Sequence, residues 1–558
     1  MDFNSLLAPY ASGWHDGGGR ITFSFLTTVP RYYSDRQDIT GDGFSDVVWI
    51  TPWDPLSLST SVVMSATEKE FTHLAVQAMN EVADIGLVEG TIGGTTVGDI
   101  TFASARFGEA ATFGFAADFP GTLGVASSHG DIWLNRTNPN QAVPRYGDTG
   151  WHTILHELGH ALGLTHPDED PNNFRGDPRN NQQWTMMSYV PHPGQADVHE
   201  PSAGWPVTPM MWDIQALQAI YGPNLETRTG ATTYFGSAAR GSVAAFSLSE
   251  AGRLSPAFPA ILTIWDAGGI DTISADNQSA RAVIDLNNGA FSTIGLVADN
   301  IGIAEAVMVD DAIVNLIENA VGGAADDRLT GNGGDNRLDG GAGADRMYGN
   351  GGDDLFIVDA TGDRVVERAG SGVDTVHSFV SFALTTQVEN LALKGTAAIA
   401  AIGSSRGNAL TGNGSANLID GGGGADKLKG GDGSDRLDGG SHRDTMMGGA
   451  GADRFLFDDG DSSAIRAAAD RIVDFDPSEG DRIDLRAIDA RSASPDVNNA
   501  FRFLGADAFS GNGRGGELRF REVRGNIFIS GDVDGDGVGD FAIRLDGVHD
   551  LVATDFLL

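Results

Sequence analysis

Hydrophobic positions change their spacing along the chain, and each change marks a boundary. Ile21, Phe23 and Phe25 alternate with Thr22 and Ser24, the two-residue period of a half-buried strand. A helical period follows. Ser65 and Glu68 make a capping box, Phe71, Leu74, Ala75, Ala78 and Val82 share one face, and Gly86 is expected to supply a left-handed stop. Strands are predicted over 99–105 and 130–135, a second helix from near His152 to about Gly163, and a third with Pro209 in its first turn, ending by Gly222. Strands and helices thus interleave over 1–225. Across 226–321 the helical period fades, leaving short β-prone runs such as 260–265 between Gly, Asp and Asn turns, the pattern of a β-rich connector.

From Gly322 the spacing becomes nine residues. Four units run in register over 322–357 and six more over 403–456. Position six holds Asp327, Asn336, Asp345 and Asp354, then Asn408, Asn417, Asp426, Asp435, Asp444 and Asp453. Position eight is apolar throughout: Leu329, Leu338, Met347 and Phe356, then Leu410, Ile419, Leu428, Leu437, Met446 and Phe455. A flexible Gly-rich linker would not keep two positional rules through ten units. The Gly-rich half makes a tight turn with inward carbonyls, and the recurrent carboxylate adds a side-chain oxygen; an oxygen-only donor set suits calcium. Asp327, Asp345, Asp354, Asp426, Asp435, Asp444 and Asp453 are accordingly the candidate calcium ligands. The apolar position lies on a short strand, and stacked copies share a core that one copy could not bury. The pattern resembles the RTX calcium-binding repeat, which implies an all-β parallel β-roll with several structural calcium ions between its turns.

Two segments flank the second block. Residues 358–402 form a spacer whose Val373-Asp374-Thr375-Val376 and Val388-Glu389-Asn390-Leu391-Ala392-Leu393 read as extra rungs, and 457–558 read as a β-rich cap. In that cap, Asp532, Asp534, Asp536, Gly537 and Asp540 are spaced like the first part of an EF-hand loop without its Glu at position twelve, so a calcium loop and a solvated acidic turn are both open. Asp38, Asp42, Gly43 and Asp46 are a weaker echo.

Composition narrows the function classes. A length of 558 residues suggests three or four domains at roughly 150 residues each. Against 36 basic residues stand 76 acidic ones, and the net charge of -40 repels phosphate backbones, so nucleic acid is not a partner. Without Cys there is no disulfide, thiolate ligand or thiol nucleophile. No apolar run reaches the roughly 18 residues of a membrane span, and the opening Met1-Asp2-Phe3-Asn4 lacks the basic and apolar regions of a signal peptide.

The chemistry is concentrated in His156-Glu157-Leu158-Gly159-His160-Ala161-Leu162-Gly163-Leu164-Thr165-His166. Four residues apart on a helix, His156 and His160 present their imidazoles on one face and can chelate one ion. Gly163 lets the backbone turn so that His166 returns as a third ligand. Three neutral His leave a fourth position for a water, whose pKa a bound zinc lowers from 15.7 to about 7, and Glu157 is placed to take its proton. A packed helix with incidental histidines does not account for three His, a Glu and a Gly in this order. His129, His152, His192 and His199 complete no pattern and are assigned to packing. Gly403-Ser404-Ser405-Arg406-Gly407 fits a hydrolase signature but lies inside a repeat unit, without the required strand and helix.

Downstream stands Thr185-Met186-Met187-Ser188-Tyr189, which resembles the Met-turn of metzincin proteases. Pro167 after the third His and Tyr189 two residues after Met187 are similar to the serralysin family of secreted bacterial metalloproteases, as are Trp14-His15-Asp16 and Ile264-Trp265-Asp266-Ala267-Gly268-Gly269. The resemblance implies an α/β (α+β) metzincin-like catalytic domain over 1–225 followed by the β-roll. It implies one catalytic zinc on His156, His160 and His166, Met187 as the floor beneath it, and Tyr189 as a residue that ligates or neighbours the metal and then stabilises the oxyanion. It further implies an extracellular endopeptidase acting on protein or peptide substrates, with 114–120 as the strand that aligns them, and a proteinaceous inhibitor as a partner. The terminal Asp555-Phe556-Leu557-Leu558 matches the family's signal for the type I secretion machinery, and a buried terminal strand explains the same residues. The alternative is a calcium-binding matrix or surface protein with an inert protease-like domain; Glu157 separates the two, because a structural zinc site needs no general base. Nothing in the sequence demands more than a monomer.

Overall fold

The computed structural model describes residues 21–25, 63–90, 100–105, 114–116, 131–135, 144–145, 147–167, 176–193, 205–237, 261–295, 297–491, 499–511, 513–547 and 550–558. The chain divides into two compact units, Met1–Asn319 and Ala320–Leu558.

In the first unit, strand β1 (Thr22–Phe25) is followed by helix α1 (Ala66–Val82), strands β2 (Val88–Glu89), β3 (Ile100–Ala105), β4 (Gly114–Ala116) and β5 (Asp131–Asn135), and helices α2 (Thr149–Ala161) and α3 (Met211–Tyr221). The sheet order is β2-β1-β3-β5-β4. Its pairings are parallel except at the edge, where β4 runs antiparallel to β5 and pairs Phe115 with Trp133. Phe23 and Phe102 bury edge to face at 5.9 Å, and the Phe71 ring of α1 meets Trp151 of α2 at 5.8 Å.

Local chemistry sets the helix boundaries. At the start of α1 the capping box is formed: Glu68 N–H donates to Ser65 Oγ at 3.2 Å, and Ser65 N–H donates to Glu68 Oε2 at 2.6 Å. The other Glu68 oxygen accepts from Ser104 Oγ of β3 at 2.7 Å, so the cap also fastens the helix to the sheet. The stop differs from expectation. Ala83 leaves the helix in extended backbone, and Gly86, at φ 65, turns the chain only after a further segment. Leu74 is half-buried, while Val76 and Met79 enter the core.

Helix α2 begins at Thr149, before the expected His152, because Asp148 caps it: Trp151 N–H donates to Asp148 Oδ1 at 2.9 Å. Burial pushes the Asp148 carboxyl up to about 6 against the pull of its N–H donors. Pro209 precedes α3, whose N-cap is Met210, and Gly222 ends it at φ 84. The later part of this unit contains a parallel pair, Leu262–Ile264 with Ile301–Ile303, and buries Trp265, whose Nε1 donates to Asn224 O at 3.0 Å.

The second unit is built of short parallel rungs. Arg328–Thr330, Arg346–Tyr348 and Arg364–Val366 stack in register, pairing Leu329 with Met347 and Met347 with Val365. A facing row runs through Arg337–Asp339, Leu355–Val358, Thr375–Ser378, Asn390–Leu393, Ala409–Thr411, Lys427–Asp432 and Thr445–Ala450. One turn therefore takes two nonapeptides, and the arrangement fits a parallel β-roll. Every eighth-position side chain is at most 2% exposed, which makes the row of them the core. To the facing row the spacer contributes the rungs headed by Thr375 and Asn390, with Val376 and Leu391 continuing the apolar row, and it also supplies the parallel rungs Arg364–Val366, Phe382–Ala383 and Ala400–Ile402. At the end, Glu517–Val523, Asn526–Asp532 and Phe541–Asp546 form an antiparallel meander, and Phe556–Leu557 adds a last rung to Ile483–Asp484. Among the described residues no helix is long and apolar enough to cross a membrane.

Candidate functional site

Helix α2 carries His156 and His160 one turn apart, and it closes with Gly163 at φ 99, a left-handed conformation that suits glycine. The chain then doubles back. His166 Nε2 comes within 3.1 Å of His156 Nε2 and 3.0 Å of His160 Nε2. His156 Nδ1 faces Met186 O at 3.0 Å, and His160 Nδ1 faces Leu164 O at 2.8 Å. A carbonyl oxygen only accepts, so both Nδ1 atoms donate and both Nε2 atoms turn lone pairs toward His166. One proton on His166 could satisfy only one of them. Three converging imidazole nitrogens with their tautomers fixed from behind are the donor set of a zinc ion, which binds nitrogen at roughly 2.0–2.1 Å. His156 is held well below the ordinary histidine range by burial, then by the neighbouring His160 and His152, which keeps it neutral as a ligand must be.

Glu157 follows His156 in the helix and is buried at 8% exposure, whereas Tyr189 is 66% exposed. The Tyr189 ring lies 4.7 Å from His166 and 5.5 Å from His156. Met187 is fully buried beneath the helix. A Cβ on Gly159 would fall 2.7 Å from Met186 Cε and 2.8 Å from Met187 Sδ, so glycine is what lets the Met-turn approach this closely.

Asp213, on α3, is a residue that motif reading missed. Its Oδ1 accepts from Thr185 Oγ1 at 2.6 Å, and its Oδ2 accepts from Met186 N–H at 2.7 Å and Met210 N–H at 2.8 Å. Thr185 Oγ1 in turn accepts from Met187 N–H at 3.0 Å. Burial pushes the Asp213 carboxyl up to about 7 although its three donors pull it down. The side chain thus ties α3 to the turn whose carbonyl orients His156. Replacing Asp213 with Ala strands three buried donors, each worth about 1–3 kcal/mol, and is expected to lower unfolding stability by about 3–5 kcal/mol in a urea titration followed by tryptophan fluorescence. Asp213→Asn keeps one acceptor and should lose less; a loss under about 1 kcal/mol for the Ala variant would contradict this role.

The repeat carboxylates form a ladder. Oδ1 of Asp345, Asp354, Asp426, Asp435, Asp444 and Asp453 accepts the N–H of the position-six residue one turn earlier, at 2.6–2.8 Å. Each Oδ2 of these six is buried with no hydrogen-bond partner, the donor a calcium ion would use. Asp327 differs, because its Oδ2 accepts the N–H of Gly323. Burial is the main cause that pushes Asp345 up to about 7, Asp354 and Asp444 to about 8, and Asp426 and Asp453 to about 6.

Other expected residues fall as follows. Asp532, Asp534 and Asp536 come together, with Asp532 accepting from Gly535 N–H at 2.6 Å and Gly537 N–H at 3.0 Å. Of 114–120, residues 114–116 form the edge strand β4. His152 stacks on Trp205 at 4.8 Å and His192 is buried, both consistent with packing. Ser404 lies in a roll turn, where its N–H donates to Asn408 Oδ1 at 2.7 Å. Trp14, His15, Asp16, Asp38, Asp42, Gly43, Asp46, His129, His199 and 117–120 lie outside the described residues.

Residues 223–558, more than half of the chain, match the family model described as Peptidase M10 serralysin C terminal. The chain is similar to metallopeptidase AprA of Pseudomonas marginalis, 31% identical over 340 residues that make up 58% of this chain and 62% of that protein. It is 32% identical to metalloprotease AprA of Pseudomonas entomophila over 57% of this chain and 60% of the relative, and 34% identical to serralysin B of Dickeya chrysanthemi over 55% and 58%. The chain thus spans about three fifths of the length of these curated relatives. Among solved structures, the AlgE6R3 subunit of the Azotobacter vinelandii mannuronan C5-epimerase overlaps 29% of this chain and 82% of its own at 33% identity and a TM-score of 0.21.

Proposed function

This chain belongs to the serralysin family, and from that premise we propose that it is a secreted, calcium-stabilised zinc endopeptidase with a metzincin-like catalytic domain that hydrolyses peptide bonds in proteins. The observation that carries the reading is the convergence of His156, His160 and His166 at Nε2 distances of 3.0 and 3.1 Å, with the opposite nitrogens of His156 and His160 held by backbone carbonyls. When bound there, zinc supplies a Lewis acid that acidifies water and polarises the scissile carbonyl.

The chain's own residues do the rest. Glu157 takes a proton from the attacking water and returns it to the departing amine. Tyr189, whose ring lies 4.7 Å from that of His166, donates its phenol to the oxyanion in this reading. Met187 and Asp213 hold the turn under the site. Strand β4 is the edge of the sheet among the described residues, where an extended substrate adds as a further strand. Protein substrates, a proteinaceous inhibitor and the type I secretion machinery are the partners of this reading. In the folded chain Asp555 and Phe556 are buried, so a secretion signal in that segment is readable only before the last rung docks.

The test is hydrolysis of casein with calcium held at millimolar concentration. Phenanthroline should abolish cleavage and added zinc restore it. Cleavage that survives full zinc removal would refute the proposal, and a zinc-loaded chain without activity would favour the inert-domain alternative.

A further inference from the structure

Side chains alternate across a strand, so the residues one step before and one step after each buried apolar position lie on the face turned away from the core. Stacking in register turns these positions into columns. In the first block one column reads Arg328, Arg346 and Arg364, paired rung to rung. All three side chains are exposed. Neighbouring strands lie about 4.8 Å apart, so three guanidinium stems rise from a line about 10 Å long.

Like charges directly opposite one another on adjacent strands repel, and the flanking column offers no carboxylate to offset them: it reads Thr330, Tyr348 and Val366. Asp327, Asp345 and Asp363, each next to one of the arginines in sequence, are buried in the turns. The exposed Asp326, before the first rung, accepts Ala344 N–H at 2.8 Å through Oδ1. Among the described residues none of the three arginines makes an ion pair. Arg364 Nη1 donates to the Asp363 carbonyl at 3.3 Å, and Arg328 lies over the Tyr348 ring at 5.0 Å. The second block has a similar column, Arg436, Arg454 and Arg482, and there the flanking column supplies Asp438 and Asp484. A chain with 76 acidic residues thus places carboxylates beside one arginine column and none in the column flanking the other.

We propose that the column of Arg328, Arg346 and Arg364 is a docking face for a linear acidic polysaccharide, a chain of uronic acids. Each guanidinium can hold a carboxylate through two parallel N–H···O bonds. A uronate chain carries one carboxylate on each ring and advances by nearly one rung per ring, so consecutive carboxylates stay within reach of successive arginine stems. Other polyanions match the column less closely. Phosphates follow one another at about 3.4 Å along a nucleic-acid strand. Carboxylates on one face of an extended acidic peptide recur at about 6.8 Å. The net charge of -40 opposes any polyanion at long range, but at physiological ionic strength charges more than about 8 Å away are largely screened, which leaves the contact to the arginines. The proposal goes beyond the protease reading and does not rest on it.

The experiment titrates the full chain with a hexamer of galacturonate by calorimetry, in millimolar calcium and roughly 0.15 M salt. The unaltered chain should bind it. Replacing all three of Arg328, Arg346 and Arg364 with Thr should weaken binding about tenfold, the scale of three exposed charge pairs, whereas the same replacement of Arg436, Arg454 and Arg482 should change it by less than about twofold. Thr already occupies the equivalent outward place at Thr375 and Thr445, so both variants are expected to fold, which circular dichroism checks. No binding by the unaltered chain, or equal losses in the two triple variants, would overturn the assignment. Tighter binding of polyglutamate or of a single-stranded oligonucleotide than of the hexamer would overturn it as well, because the face would then belong to another partner. Should the first triple variant fail to fold at saturating calcium, Arg346→Thr alone decides: binding weakened by about twofold or more supports the face, and unchanged binding overturns it. Zinc content and casein hydrolysis do not enter the readout, so failure of the protease reading would be seen separately.

Discussion

Glu157→Gln is expected to lower casein hydrolysis by about 10²–10⁴-fold while leaving bound zinc unchanged, the range that removal of a general acid–base group gives. The substitution keeps the shape of a side chain that is 8% exposed and alters neither the three imidazoles nor the carbonyls that orient them. What disappears is an acceptor for the water's proton. Zinc measured by mass spectrometry on the same preparation separates loss of this chemistry from loss of the metal. Full activity at full zinc content would remove Glu157 from the mechanism.

Stripping calcium is expected to erase most of the β signal of the second unit in circular dichroism at neutral pH. Six buried carboxylates, Asp345, Asp354, Asp426, Asp435, Asp444 and Asp453, each leave one oxygen unpartnered. Ligand binding at a hundred times its dissociation constant adds about 2.7 kcal/mol per site. Several such sites together rival the roughly 5–15 kcal/mol that separates a folded domain from its unfolded chain. Protons should partly replace calcium. The folded-state pKa values of these groups, about 6 to 8 where resolved, lie above the usual carboxylate value of 3.8, so the stability that protonation gives the calcium-free roll is fully present below about pH 4 and is lost as pH rises through 6 to 8. Acidifying the calcium-free protein should therefore restore β signal. A calcium-free roll that keeps its full signal at pH 8 would contradict the account.

Features set by local or periodic chemistry were legible in the sequence. The nonapeptide rule pointed to the core, since each eighth-position side chain is at most 2% exposed, and the Ser65–Glu68 box marked the start of α1. The His156 to His166 motif was legible because its three imidazoles lie within one helix and one turn. Residues whose partners are distant in sequence were not. Asp213 holds Thr185 and Met186 from another helix, and a lone Asp in an amphipathic run looks like any solvated position until α3 packs there. The start of α2 at Thr149 comes from the Asp148 cap, whose bond to Trp151 N–H is not signalled by the spacing of apolar residues.

Rungs in the roll are tied to the rung before and the rung after, and their register is fixed by residue pairs instead of by loop length. Leu355 to Thr375 spans twenty positions, Thr375 to Asn390 fifteen and Asn390 to Ala409 nineteen, yet all three steps pair cleanly. Such a stack behaves as a one-dimensional lattice with nearest-neighbour coupling. Length can be inserted at any step by adding a turn that matches only its two neighbours, and damage to one turn stays within reach of the next. An array of this kind can grow or shrink by whole turns while the rest of the molecule is left as it was.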